Sequence, residues 1–353
     1  MTFDEMLSTC VREGASDIHL HAGMPPHLRV NGKMVVMKIG ALTPKVMEGL
    51  VTTILNERQR VTFHVKNQVD FAHSIPGVSR FRVNMFRQRG SVSMVLRVIS
   101  NDTSQLEAVK LPFDTIEFIA AQRRGIVLVT GPTGSGKSTT MAAILDHINR
   151  SKAEMIVTIE DPIEMIHSNK KSVIVQREIG QDAPSFSEAL VAAMRQDPDV
   201  IMIGEIRDHA TAQAAISAAQ TGHLVLSTLH TMDTIRTINR ILELFPPEER
   251  GIARILFADS MVSVISQRLL PKADGEGRVV ALEIMRGILF IKDAIKEENA
   301  QEKLKEALLE GGHNGMIAFD EHLAQLCRDG LIDFNTGYSA ATSPHVFKMR
   351  VGQ

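Results

Sequence analysis

The chain has 353 residues, 44% of them hydrophobic and 23% charged, a length beyond one comfortable core and a composition ordinary for globular proteins, so two domains are expected. Net charge is −2, from 39 basic and 41 acidic residues without a long Lys/Arg run, which weighs against nucleic acid as a partner. No apolar stretch approaches the ~18 residues of a membrane span, no signal-peptide core opens the chain, and the distant Cys10 and Cys327 match no zinc spacing, so a cytoplasmic protein with buried thiols is expected.

The first hundred residues read as a small α/β unit. MTFDEMLSTCVREG places Phe3, Met6, Leu7, Cys10 and Val11 on one helical face, with Gly14 as the stop. SDIHLHA alternates as a half-buried strand, with Ile18 and Leu20 opposite His19 and His21. LRVNGKMVVM has the Asn31-Gly32 pair of a hairpin. Thr43 and Pro44 open a helix expected to run to about Phe63. QVDFAHSI, SRFRVNMFRQ and SVSMVLRVI follow as three strands, the last two joined through Arg89 and Gly90.

Periodicity fades over SNDTSQLEAVKLPF, giving a first domain over 1–100, a linker over 101–113 and a second domain over 114–353. In the second, IVLVT, MIVTI, DVIMIGE, HLVLSTLH and VVALEIM are short apolar runs suited to strands buried on both faces of a mainly parallel sheet. FIKDAIKEENAQEKLKEALLE and MIAFDEHLAQLCRD are periodic helical segments, and the tail from Asn335 is weakly patterned and expected to be mobile.

Between IVLVT and a helix lies GPTGSGKST, residues 131–139, which fits the phosphate-binding loop G-x-x-x-x-G-K-S in its required strand-to-helix context. Main-chain N–H groups of Gly131, Thr133, Gly134, Ser135, Gly136 and Thr139 are candidates for the phosphates, Lys137 for the β and γ phosphates, and Ser138 for Mg²⁺. Hydrolysis further needs a carboxylate that polarises water. DVIMIGE delivers Glu205 just past a buried strand, and VTIEDPIE delivers Glu160 and Asp161 in the same way. Glu205 is the first candidate and Glu160 the second. His223 and His230 stand at the two ends of one strand, roughly 23 Å apart, so both rings cannot reach one γ-phosphate. His230, at the carboxyl end, is the candidate phosphate sensor. Arg80 and Arg82 share one strand face and are candidate arginine fingers. Arg97 is a weaker one, and Arg195, Arg207, Arg236 and Arg240 stay open.

GASDIHLHAG, SRFRVNMFRQRG, GPTGSGKSTT, VTIEDPIE, RQDPDVIMIGEIRD, TGHLVLSTLH and QRLLPK, in this order over residues 3–330, resemble the secretion-ATPase superfamily and within it the PilT-type retraction ATPases of type IV pili. The resemblance implies an α/β protein, with a PAS-like N-terminal domain linked to a RecA-like P-loop ATPase domain, assembled as a homohexamer that uses ATP and Mg²⁺. It assigns Lys137 and Ser138 to Walker A, Glu160 to an acidic box, Glu205 to Walker B and His223 and His230 to a His box, with His223 among the nucleotide-binding residues. Arg80 and Arg82 match N-terminal-domain arginines that approach nucleotide. The implied work is pilin disassembly and twitching motility. It would be done at the cytoplasmic face of the inner membrane against a platform protein, with a paralogous retraction ATPase as a further partner. Extension ATPases usually carry a longer N-terminus and a four-cysteine zinc motif, which fits two distant cysteines less well. A segment that usually reads AIRNLIRE is FIKDAIKE here, with Lys292 and Lys296 in place of arginines, which leaves open an accessory PilU-like paralogue. A related type II/IV secretion or filament-assembly ATPase is the other alternative. A nucleic-acid translocase is disfavoured by 4% aromatic residues and no Trp.

Overall fold

The structure, a computed structural model, describes residues 2–99 and 110–352. It divides into two compact units, the first holding the residues up to 99 together with Pro162–His167, the second holding the rest.

In the first unit, α1 (Phe3–Arg12) begins at a capping box in which Thr2 and Glu5 satisfy each other's backbone N–H groups. Strands β1 (Ala15–His21), β2 (His27–Val30), β3 (Lys33–Val36), β4 (Gln68–Ile75), β5 (Ser79–Gln88) and β6 (Ser91–Ile99) form one antiparallel sheet in the order β3-β2-β1-β6-β5-β4. Asn31 and Gly32 take φ of 50° and 78° at the β2–β3 turn, and Arg89 and Gly90 take 49° and 80° at the β5–β6 turn, as two-residue hairpins need. Ile18, Leu20, Phe81, Val83, Met85, Met94 and Leu96 are buried with Leu7 and Cys10 of α1.

The expected helix 44–63 is two helices, α2 (Pro44–Ile54) and α3 (Glu57–Lys66). Asn56 between them is extended and accepts from the Gln59 N–H while the Gln59 side chain accepts from the Asn56 N–H, a second capping box that outweighs helical continuity.

The second unit is built on β7 (Gly125–Thr130), β8 (Met155–Glu160), β9 (Val173–Glu178), β10 (Val200–Ile203), β11 (Leu224–Leu229), β12 (Met261–Pro271) and β13 (Arg278–Arg286), ordered β13-β12-β7-β11-β10-β8-β9. All pairings are parallel except β12–β13, so the sheet is mainly parallel with one antiparallel edge. Consecutive residues of β7 belong to different cores: Ile126 and Leu128 pack in one, Val127 and Val129 in the other. That is why the run has no alternation. The sequence does not single out β9 or β12. The first is an edge strand ending in Gln-Arg-Glu, and the second continues without a break from a helix, with an apolar run that helix or strand could equally use.

Of the expected linker, 101–109 lies outside the described residues, and Leu111 is already buried in the second unit's core beside α4 (Phe113–Ala120). The helical segment 290–310 is interrupted, giving α10 (Leu289–Lys296) and α11 (Gln301–Glu310) with Asn299 at positive φ between them. Helices α5 (Lys137–Ser151), α6 (Phe186–Ala193), α7 (His209–Gln220), α8 (Thr234–Glu243) and α9 (Arg250–Ser260) connect or flank the strands. Cys10 is buried, whereas Cys327, expected to be buried, is only half-buried.

The tail differs most from expectation. After α12 (Phe319–Arg328) it forms α13 (Phe334–Ala340) and α14 (Pro344–Val351), short helices with little periodicity of their own. Phe347 is fully buried among Leu323, Leu326 and Ile332, and the absence of a side chain on Gly337 lets its ring lie against that helix. Phe347→Ala is therefore expected to cost about 3–5 kcal/mol in the second unit, read as a lower midpoint in thermal or urea unfolding; an unchanged midpoint would return the tail to the mobile state the sequence suggests.

Candidate functional site

Five neighbouring strands, β12, β7, β11, β10 and β8, run parallel, so their carboxyl ends open on one edge of the sheet, where open α/β folds bind ligands. The phosphate loop leaves β7 there. Gly131 has φ of 143°, and a Cβ at this position would stand 2.2 Å from the carbonyl oxygen of Gln267 on β12. Gly136 caps α5 at φ of 90°, a left-handed conformation that turns the chain into the helix. Ser135 is buried and its hydroxyl has no hydrogen-bond partner among the described residues, while Thr133 and Ser138 are exposed along the loop and Thr139 is half-buried. Lys137 donates from Nζ to the carbonyls of Gly131 at 2.9 Å and Pro132 at 3.0 Å, which folds its ammonium back over the loop.

Gln267 holds this loop from beneath. It is 1% exposed, donates from Nε2 to the Ser135 carbonyl at 2.7 Å and accepts at Oε1 from Thr140 Oγ1 at 2.9 Å. A single amide thus ties β12 to both the loop and the first turn of α5. Next to it, the hydroxyls of Ser266 and Thr130 meet at 2.7 Å, and Thr237 lies 3.4 Å from Thr130 and 2.6 Å from Thr231. These contacts join the end of β7 to the start of α8.

Glu205 follows β10, two strands from β7, and roughly 10 Å across two strand spacings leaves room for a terminal phosphate and a water. Its carboxylate is largely shielded, pairs with Arg207 and lies 3.6 Å from Nε2 of His230, which follows β11. Glu205, His230, Arg207 and Arg240 line one cleft of about 260 Å³. Glu160, at the end of β8, is buried and accepts from Thr158 Oγ1 at 2.6 Å and Gln176 Nε2 at 3.1 Å.

The sequence candidates therefore divide. Gly131 to Thr139, Glu160, Glu205 and His230 share the carboxyl edge. His223 does not; it precedes β11 at the opposite edge, where Nδ1 donates to the Ala218 carbonyl at 2.8 Å and closes the end of α7. Arg80 and Arg82 belong to β5 of the first unit, on one face as their spacing predicts, with Phe81 and Val83 buried on the other. Arg80 donates to Ser74 Oγ at 3.0 Å, and Arg82 is exposed, directly across from Arg97, which Asp17 draws aside at 2.9 Å. Gln267 and Thr140 were missed. Only the place of Gln267 in QRLLPK hinted at it, because its partners lie more than a hundred residues away.

A family model described as type II/IV secretion system protein matches residues 1–315. The type IV pilus retraction ATPase PilT of Pseudomonas aeruginosa is 42% identical over 98% of this chain and 100% of its own. The type IV pilus ATPase PilU of the same organism is 36% identical over 99% and 91%. Among solved structures, the pilus retraction motor PilT with bound ADP superposes with a TM-score of 0.86 at 40% identity, covering 98% of each chain.

Gln267→Leu is expected to leave the Ser135 carbonyl and Thr140 hydroxyl unpaired in a buried setting, at a cost of about 1–3 kcal/mol, and to weaken nucleotide binding by loosening the loop. Calorimetric titration with ADP checks this; unchanged affinity and stability would show that the loop holds its shape without the amide.

Proposed function

The chain belongs to the type II/IV secretion system protein family, of the PilT type, and from that premise we propose that it hydrolyses ATP as a homohexameric ring and spends the energy on retracting type IV pili. The observation that carries the proposal is the meeting of Glu205 and His230 at the same sheet edge as the phosphate loop.

In this proposal the main-chain N–H groups of 131–139 and the N-terminus of α5 hold the phosphates, and Lys137 exchanges its carbonyl partners for β and γ oxygens. The exposed Ser138 hydroxyl at the first turn of α5 fits a Mg²⁺ ligand. Mg²⁺ would neutralise charge on the β and γ phosphates. Glu205 orients and polarises the attacking water. The new O–P bond forms as the β–γ bridging bond breaks, and ADP leaves with the bridging oxygen. His230, within reach of Glu205, senses the terminal phosphate. Buried Glu160, already held by Thr158 and Gln176, shapes the water environment rather than moving. Arg80 and Arg82 of the first unit are the proposed source of further positive charge for the transferring phosphate. His223 takes its place at a subunit boundary, away from the phosphates of its own chain.

The proposed setting is the cytoplasmic face of the inner membrane at the pilus base, against a platform protein, with no nucleic acid involved. No helix among the described residues is long and apolar enough to cross a membrane. One observation favours a second reading, an accessory PilU-like paralogue. Where PilT-type arginines are usual, Lys292 donates to the Asp259 carbonyl at 2.9 Å and Lys296 pairs with its carboxylate at 2.8 Å, point-charge contacts that lack a guanidinium's fork.

Glu205→Gln is expected to bind nucleotide normally and to lose about 10²–10³-fold in turnover; wild-type turnover would remove Glu205 from the reaction. Arg82→Ala and Arg80→Ala should lower turnover far more than affinity, and wild-type rates in both would place the finger elsewhere. Deletion in the native host should give excess pili without twitching. Absent pili would indicate an extension motor instead, and normal twitching an accessory role.

A further inference from the structure

Between His230 and α8 runs a short loop, 230–233, and two neighbouring side chains of β12 and β13 grip it on either side of Asp233. Arg268 of β12 donates from Nη2 to the Met232 carbonyl at 3.3 Å. Glu283 of β13 accepts from both the N–H and the hydroxyl of Thr234, each at 2.8 Å. Arg268 also reaches the C-terminal helices. The Arg268 guanidinium lies 4.1 Å over the Phe319 ring and donates to the Ala340 carbonyl at 3.0 Å. Glu283 thus serves as the cap for the first N–H of α8.

The chemistry of position 283 is demanding. Burial pushes the Glu283 carboxyl above the usual carboxylate range, the Thr234 bonds pull it back, and the nearby Asp233 adds to the rise. Such a group weighs against the fold as pH climbs past its raised value, so packing alone does not account for it. Two donors converge on it, the Thr234 N–H and the Thr234 hydroxyl. A carboxylate has lone pairs for both, whereas a glutamine offers one acceptor oxygen and turns two further donors inward.

We propose that Glu283 is a positioning residue for hydrolysis, capping α8 so that the loop carrying His230 keeps its place beside Glu205, while Arg268 couples that loop to the C-terminal helices. The proposal rests on His230 facing the reaction, as set out above. It names Arg268 as the route by which a change at the γ-phosphate reaches the C-terminal helices.

The test compares ATP turnover and ADP binding in the full chain for Glu283→Gln, His230→Ala and the double variant. Glu283→Gln is expected to lower kcat about tenfold with KM and ADP affinity within about twofold, because the phosphate loop is untouched. In the double variant it should add less than about twofold to the loss from His230→Ala, since residues acting through one another are not additive. Thr234→Val, which deletes one donor and leaves the charge, should repeat this pattern and serves if Glu283→Gln folds poorly. Wild-type kcat in Glu283→Gln and Thr234→Val, or losses that multiply fully with His230→Ala, would overturn the proposal and leave His230 in its role. Wild-type turnover in His230→Ala would remove that role and the proposal with it.

Discussion

The close approach of the phosphate loop to β12 is the contact on which the rest of the second unit depends. Gly131 has no space for a Cβ against the Gln267 carbonyl, and the Gln267 amide donates to the loop's Ser135 carbonyl while accepting from Thr140. Backbone and side chain of one residue therefore fix where the loop begins and how it curls. β12 can do this only by lying next to β7 in the sheet, and it reaches that position after a long excursion of the chain through β8, β9, β10 and β11. The parallel direction of those strands then sets Glu160, Glu205 and His230 along the same edge.

From that edge the structure fastens outward. Gln267 faces the loop, while the next residue, Arg268, grips the turn after His230 and the C-terminal helices, and Glu283 on the adjoining strand holds the start of α8 at Thr234. The free edge of β13 is closed in turn: the Ile284 N–H donates to the Ile317 carbonyl at 2.8 Å and the Leu282 N–H to His322 Nδ1 at 2.9 Å. Burial holds the His322 ring below its ordinary pKa, consistent with a neutral imidazole that can accept there. The C-terminal helices are thus an extension of the nucleotide sheet, joined to it by backbone and by charged side chains.

Local chemistry was legible in the sequence, and long-range partnership was not. The phosphate loop, the Thr43 and Pro44 helix start, the two-residue hairpins and the face shared by Arg80 and Arg82 follow from residues within a few positions of one another. Glu205 was legible because a carboxylate directly after a buried strand is itself a local pattern. Gln267 and Glu283 were not, since a buried amide or carboxylate acquires meaning only from Ser135, Thr140 or Thr234, far along the chain. β12 hid for a related reason: its apolar run follows α9 directly, and only pairing with β7 and β13 decides for strand. The tail hid because Phe347 is one large residue in a short helix, too little to produce a period.

On the proposed function, this sheet edge turns over ATP and does not merely hold nucleotide. Phosphate release from the purified full chain under saturating ATP and Mg²⁺ tests it most directly. Steady release of one phosphate per ATP over many turnovers, halted by chelating the metal, is expected. Tight nucleotide binding with no release beyond a single turnover would contradict it.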